Sequence, residues 1–176
     1  MNIPRALAVI LCLIALPSFA QTYPSPKLHD LESFLGIWSC QGATFGNAPH
    51  ATVADLDIKQ ELLGFWIRFE YAERRSAQNS APYSEDGAWG YDAGTKVFMS
   101  GSLNNKGGFA NGVSPGWQGS VLVFTETTHA GGGVLATRTT FARKSASEFV
   151  HTFEGQDPAG AWHKLSEQTC TKLRTP

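Results

Sequence analysis

Five histidines, His29, His50, His129, His151 and His163, are the side chains of this chain best suited to ligate a metal or move a proton near neutral pH. None stands in H-x-H or H-E-x-x-H, and no C-x-x-C accompanies them, so the spacing gives no zinc site. Glu126 and His129 are three apart, which on a strand sends them to opposite faces. Asp55 and Asp57 share a strand face, and paired carboxylates can do acid–base work; the same alternation also describes a solvated outer face. Residues 112–116 (GVSPG) fit the G-x-S-x-G nucleophile elbow. Pro115, however, has no N–H to give an oxyanion, and no helical pattern follows, so the segment reads as a Gly/Pro loop.

One histidine differs from the rest. His151 alternates in phase with Phe149 and Phe153, which sends it to the apolar side of its strand. There it is either a hydrogen-bonded core residue or a group that orients a ligand. Tyr71, Trp89 and Tyr91 are in phase with the apolar faces of their own strands. Sharing one lumen with His151, they make an aromatic cavity with few polar handles, which suits a small hydrophobic or amphipathic ligand. The alternative is a narrow barrel filled by its own side chains. Arg68 and Glu70 fall on the polar face of 66–71, as an outer ladder; Arg68 is also kept as an anchor for an anionic group.

The elements that must position these residues are strands. Period-two alternation marks 66–71, 88–91 and 149–153; 119–128 and 134–143 flank a Gly-rich hairpin turn at 130–133. Weaker strands are read at 37–45, 52–62, 96–102 and 163–173, with one more inside 107–113. Leu28, Leu31, Phe34 and Leu35 give a short helix with one apolar side, stopped by Gly36. Residues 74–87 and 104–119 read as long loops. The expected fold is all-β: a closed antiparallel up-and-down barrel of about nine or ten strands behind a short N-terminal helix, because closure removes exposed edges.

The N-terminus carries Arg5, an apolar run over 6–16, Pro17 and a small-x-small site at 18–20. This is a secretory signal cleaved after Ala20, giving a periplasmic or secreted protein. The domain order is then 1–20 signal peptide, 21–27 tether and 28–176 barrel. Cys12 leaves with the signal, and Cys40 and Cys170 have one pairing open to them. They lie in the first and last strands, which are neighbours only if the barrel closes. Chain entropy gives such a bond roughly 4–5 kcal/mol.

Composition narrows the functions. A formal charge of −1, made more negative by the loss of Arg5, gives no case for nucleic-acid binding. No apolar run is long enough for a membrane span. The sequence sets no oligomeric state.

Residues 31–38 (LESFLGIW) resemble the opening of a lipocalin-type barrel, a short helix followed by G-x-W, and 38–42 (WSCQG) continue in the same style. Residues 89–92 (WGYD), followed by Lys96, Val97 and Phe98, are similar to the GYD…K-Y/F hairpin of a bacterial lipocalin-like family of unknown function. Residues 65–70 (FWIRFE) match the strand before that hairpin. The likeness runs in order over 28–173. It implies a barrel with a ligand cavity and no established reaction. Heme-binding relatives of this barrel hold iron through a His near the C-terminus, inside a motif not matched here, so His163 takes no such role.

The leading expectation is therefore a non-catalytic, exported barrel binding a small hydrophobic or amphipathic ligand, with no cofactor. The alternatives are a heme-binding or isomerase-type protein using His151, and an envelope interaction module acting through its long loops.

Overall fold

The computed structural model describes residues 23–46 and 49–174. The expected signal peptide, its expected cleavage site and Cys12 lie outside the described residues. Ten strands follow one another: β1 (Gly36–Thr44), β2 (His50–Glu61), β3 (Trp66–Glu73), β4 (Ser84–Asp92), β5 (Val97–Asn104), β6 (Phe109–Ser114), β7 (Val121–Ala130), β8 (Gly133–Ser145), β9 (Glu148–Gln156) and β10 (Trp162–Arg174). Each pairs antiparallel with the next, and β1 pairs with β10, so the sheet closes on itself as an up-and-down barrel.

The seam carries the disulfide. Cys40 and Cys170 stand directly opposite each other in the β1–β10 register, with Cα atoms 3.9 Å apart, and are bonded. Between β7 and β8 the turn is two residues long: Gly131 and Gly132 have φ of 59° and 80°. Two consecutive left-handed residues suit the twist of a tight hairpin, and glycine adopts them without a Cβ clash.

Two expectations about local structure change. The N-terminal segment Pro26–Phe34 winds as a 3-10 helix, with Pro26 in its first turn and Ser25 Oγ accepting from Lys27 N at 3.3 Å. Leu28, Leu31 and Phe34, its buried residues, are three apart and eclipse on three residues per turn. Pro26 and Lys27 thus belong to this helix rather than to a tether over 21–27. The second change is in the long loops: the strand expected inside 107–113 is β6, paired on both edges, so 104–119 is not one loop, and β4 begins at Ser84, which shortens the loop expected over 74–87 to 74–83.

The 3-10 helix stoppers one end of the barrel. Phe34 enters it and lies 5.2–5.5 Å, ring to ring, from Trp89, Trp117, Phe141 and Phe149. Three donors hold the helix by its carbonyls. Trp38 Nε1 donates to Phe34 O at 2.7 Å, Trp117 Nε1 to Asp30 O at 2.8 Å, and Lys172 Nζ to Ser33 O and Leu35 O at 2.9 Å. Trp38, Ile58, Ile67, Leu122, Phe124 and Phe149 fill the space beneath it and are almost wholly buried. Each such side chain contributes about 1.5–3 kcal/mol on burial, so this end is where the fold's stability gathers.

Candidate functional site

Beyond that plug the barrel is hollow. A cavity of about 450 Å³ runs from an aromatic floor to the opposite end. Its floor is Phe69, Trp89, Phe124 and Phe141, with Cys40 and Cys170 beside them. Trp89 organises the floor: its ring lies 4.9 Å from Phe69, 5.4 Å edge-on from Phe141 and 6.1 Å from Phe124 in a stacked pose. Gly87, opposite Phe69 in the β3–β4 register, makes room for this; a Cβ there would meet Phe69 Cζ at 2.3 Å.

The wall above the floor is polar. The alternation that puts Phe124 inside puts Glu126 and Thr128 inside next, and Trp89 is followed the same way by Glu85. Glu126 is held by Thr139 Oγ1, which donates at 2.7 Å, and by Ser100. It reaches Ser100 across β6 because Gly112 lies opposite both residues and has no side chain; a Cβ there would meet Glu126 Cγ at 2.4 Å. Glu85 is held by Ser102 and Tyr83. Burial pushes both carboxyls above the usual carboxylate range, and the charge of Glu126 raises Glu85 further.

Across the lumen, Gln168 Nε2 donates to Tyr71 Oη at 2.6 Å and to Thr52 Oγ1 at 2.8 Å. Gln168 is only 3% exposed, and its Oε1 has no donor among the described residues. Its cross-strand neighbour is His151. The His151 ring lies 5.2 Å from Phe141, and desolvation alone pushes it down to about 4, so it is neutral at physiological pH. No hydrogen bond from the described residues reaches it.

The mouth is partly roofed by residues 74–83. Glu73 pins this loop, its Oε2 accepting from Asn79 Nδ2 at 2.7 Å and Tyr83 N at 3.0 Å. The β5–β6 turn is stapled onto it: Asn105 Nδ2 donates to Pro82 O and Lys106 Nζ to Ala81 O, both at 2.9 Å.

The residues expected in the lumen divide. Tyr71, Trp89 and His151 line the cavity. Tyr91 does not. It is in phase with Trp89 but two residues nearer the plugged end, where its ring packs edge-on against Phe98 at 5.2 Å. Arg68 is no anion anchor for the lumen either. It points outward, donates to Asp86 at 2.9 and 2.5 Å, and is paired with Glu70 as well. Asp55 likewise lies on the outer face, bonded to Arg74. Ser114 is buried, with its Oγ accepting from Gly116 N at 3.1 Å, and carries no nucleophile machinery. Glu126 and His129 do part to opposite faces, His129 stacking on Phe109 at 4.2 Å. Among the described residues no group of three His, Cys, Asp or Glu side chains is arranged to hold a metal ion. None of the described helices is long and apolar enough to cross a membrane.

Glu73, Glu85, Glu126 and Gln168 are among the lumen residues that sequence reasoning missed. The signal was present: each continues, at i±2, the phase of an inward residue, Tyr71, Gly87, Phe124 and Cys170 respectively.

No family model matches the chain, and no curated protein matches it. Among solved structures, the crystal structure of Rv2717c from M. tuberculosis is similar, with a TM-score of 0.65 over 86% of this chain and 99% of that one, at 13% identity. That likeness shows the fold alone, a closed antiparallel barrel.

Proposed function

We propose that this is an exported, lipocalin-like binding protein that holds a small hydrophobic or amphipathic ligand in its lumen and catalyses no reaction. The observation that carries the reading is the cavity of about 450 Å³, closed below by aromatic rings and reached from one end of the barrel. Pockets of this size, apolar with a few placed polar groups, are typical of small-molecule sites. A core merely packed against itself would reach interior density and leave no such volume. The N-terminal signal and the Cys40–Cys170 bond support an oxidising compartment.

Native mass spectrometry of the exported protein tests this directly. The expected result is a retained small molecule that is released on denaturation, together with a change in Trp fluorescence as it leaves the Trp89 floor. No retained mass and no fluorescence response to apolar probes would discard the reading.

A second reading has one observation in its favour: His151 is neutral, faces the cavity and has a ring nitrogen free to ligate or to take a proton. An iron porphyrin held by His151, or an isomerase base at that position, would use it. Against the porphyrin, Glu85 and Glu126 flank the lumen and oppose its carboxylates. A Soret band in heme-loaded protein that His151→Ala leaves unchanged would end the porphyrin reading.

A further inference from the structure

The polar half of the lumen is lopsided: it is rich in acceptors. Glu85 and Glu126 carry carboxylates into the cavity, and Gln168 Oε1 lies buried beside it with no donor among the described residues. The donors around the two carboxylates and Gln168 are committed, Ser102 and Tyr83 to Glu85, Ser100 and Thr139 to Glu126, and Gln168 Nε2 to Thr52 and Tyr71. Among the described residues no Arg lines the cavity, and the single Lys, Lys106, spends its ammonium on Ala81 O at the mouth. His151 is neutral and adds one N–H donor and one acceptor lone pair, but no charge.

Such a wall discriminates by charge. Buried carboxylates without a cationic partner are costly, and a ligand that brings the partner recovers that cost; an anion would add to it. The two carboxylates also have a common geometry, since Ser100 and Ser102 stand on the same face of β5 and hold one each. Gly112 is what lets Glu126 cross β6 to join that arrangement.

We propose that the lumen selects an amphipathic cation, a molecule with a protonated amine head set between Glu85 and Glu126 and an apolar, ring-bearing body resting on Phe69, Trp89, Phe124 and Phe141. This rests on the ligand-binding reading and names the class of ligand.

Three probes of one shape and different charge test it: 2-naphthylmethylamine, 2-naphthalenemethanol and 2-naphthoate, titrated calorimetrically into the purified protein near pH 7.5. The amine should bind at least about tenfold more tightly than the alcohol, as a charge-assisted hydrogen bond warrants. The carboxylate should bind most weakly. In the Glu85→Gln/Glu126→Gln double variant the amine should fall to the affinity of the alcohol, while the alcohol changes little. Naphthoate binding as tightly as the amine would overturn the proposal with ligand binding left standing. An amine preference that survives the double variant would overturn the assignment to these carboxylates. No binding by any of the three would overturn the ligand-binding reading and this proposal together.

Discussion

The two ends of the barrel share the same ten strands and have opposite interiors. Towards the 3-10 helix the inward positions are Trp38, Ile58, Ile67, Trp89, Phe98, Leu122, Phe141 and Phe149. Towards the mouth the same strands turn inward Thr44, His50, Glu73, Glu85, Ser102, Glu126, Thr139 and Gln168. One half is a close-packed aromatic plug; the other is a polar-walled space whose groups bond one another or await a partner. The division teaches that this barrel separates stability from recognition along its axis. Burial at the plugged end offsets the desolvation of carboxylates at the other.

Breaking the frame that both halves share should have the largest effect. Replacing Cys40 and Cys170 with Ser opens a closure of 130 residues, worth about 4–5 kcal/mol by chain entropy, read as the fall in unfolding free energy under denaturant. A loss below about 1 kcal/mol would mean that the ladder alone closes the seam.

Within the plug, Phe34→Ala removes the ring that touches Trp89, Trp117, Phe141 and Phe149. It should cost about 3–5 kcal/mol. Ser102→Ala at the polar end should cost about 1 kcal/mol, the net worth of one hydrogen bond. Equal costs for the two would erase the proposed division of labour.

Acid probes the boundary between the halves. The unfolded chain protonates His151 near 6.5, and the folded chain does so only near 4. Native stability therefore loses ground as pH falls from 6.5 to 4, by at most on the order of 3 kcal/mol from this residue, and gains none above 6.5. His151→Phe should lack that loss, seen as a smaller drop in melting temperature between pH 7 and pH 4.5 than in the parent. Equal drops would place the imidazole in a wetter site than its surroundings indicate.

The smallest effect sharpens the polar half. The Glu126 carboxyl titrates higher in the folded chain than unfolded, so its charged form is penalised at neutral pH and the penalty fades on acidification. Glu126→Gln should raise the melting temperature slightly at pH 7 and not at pH 4. A fall at pH 7 would show that the charged form is stabilising in the ligand-free protein.

Much of this was legible in the chain. Alternation at 66–71 and 149–153, the glycines at 131–132 and the placing of Cys40 and Cys170 in the first and last strands point to strands, a tight turn and a closing bond, because each acts through nearest neighbours or through position in the strand order. The placing of Trp89, Tyr71 and His151 in the lumen followed from phase alone. Phase failed at Tyr91 because it gives the side of a strand and not the depth along it. Arg68 already lay on the polar face; the anion role given to it required a side that phase had denied. Glu85 and Glu126 were overlooked because an inward polar residue breaks the apolar pattern by which a face is recognised, and such breaks are expected at functional sites.

The sequence by itself determined that the chain is all-β, that its strands follow in order and that Cys40 and Cys170 lie in its first and last strands. These follow from local periodicity and composition. Only the tertiary structure decided that the 3-10 helix stoppers one end, that the interior is hollow and that two carboxylates from β4 and β7 share the space through the gap left by Gly112. Depth along the axis is fixed by strand stagger and closure, which no single strand encodes.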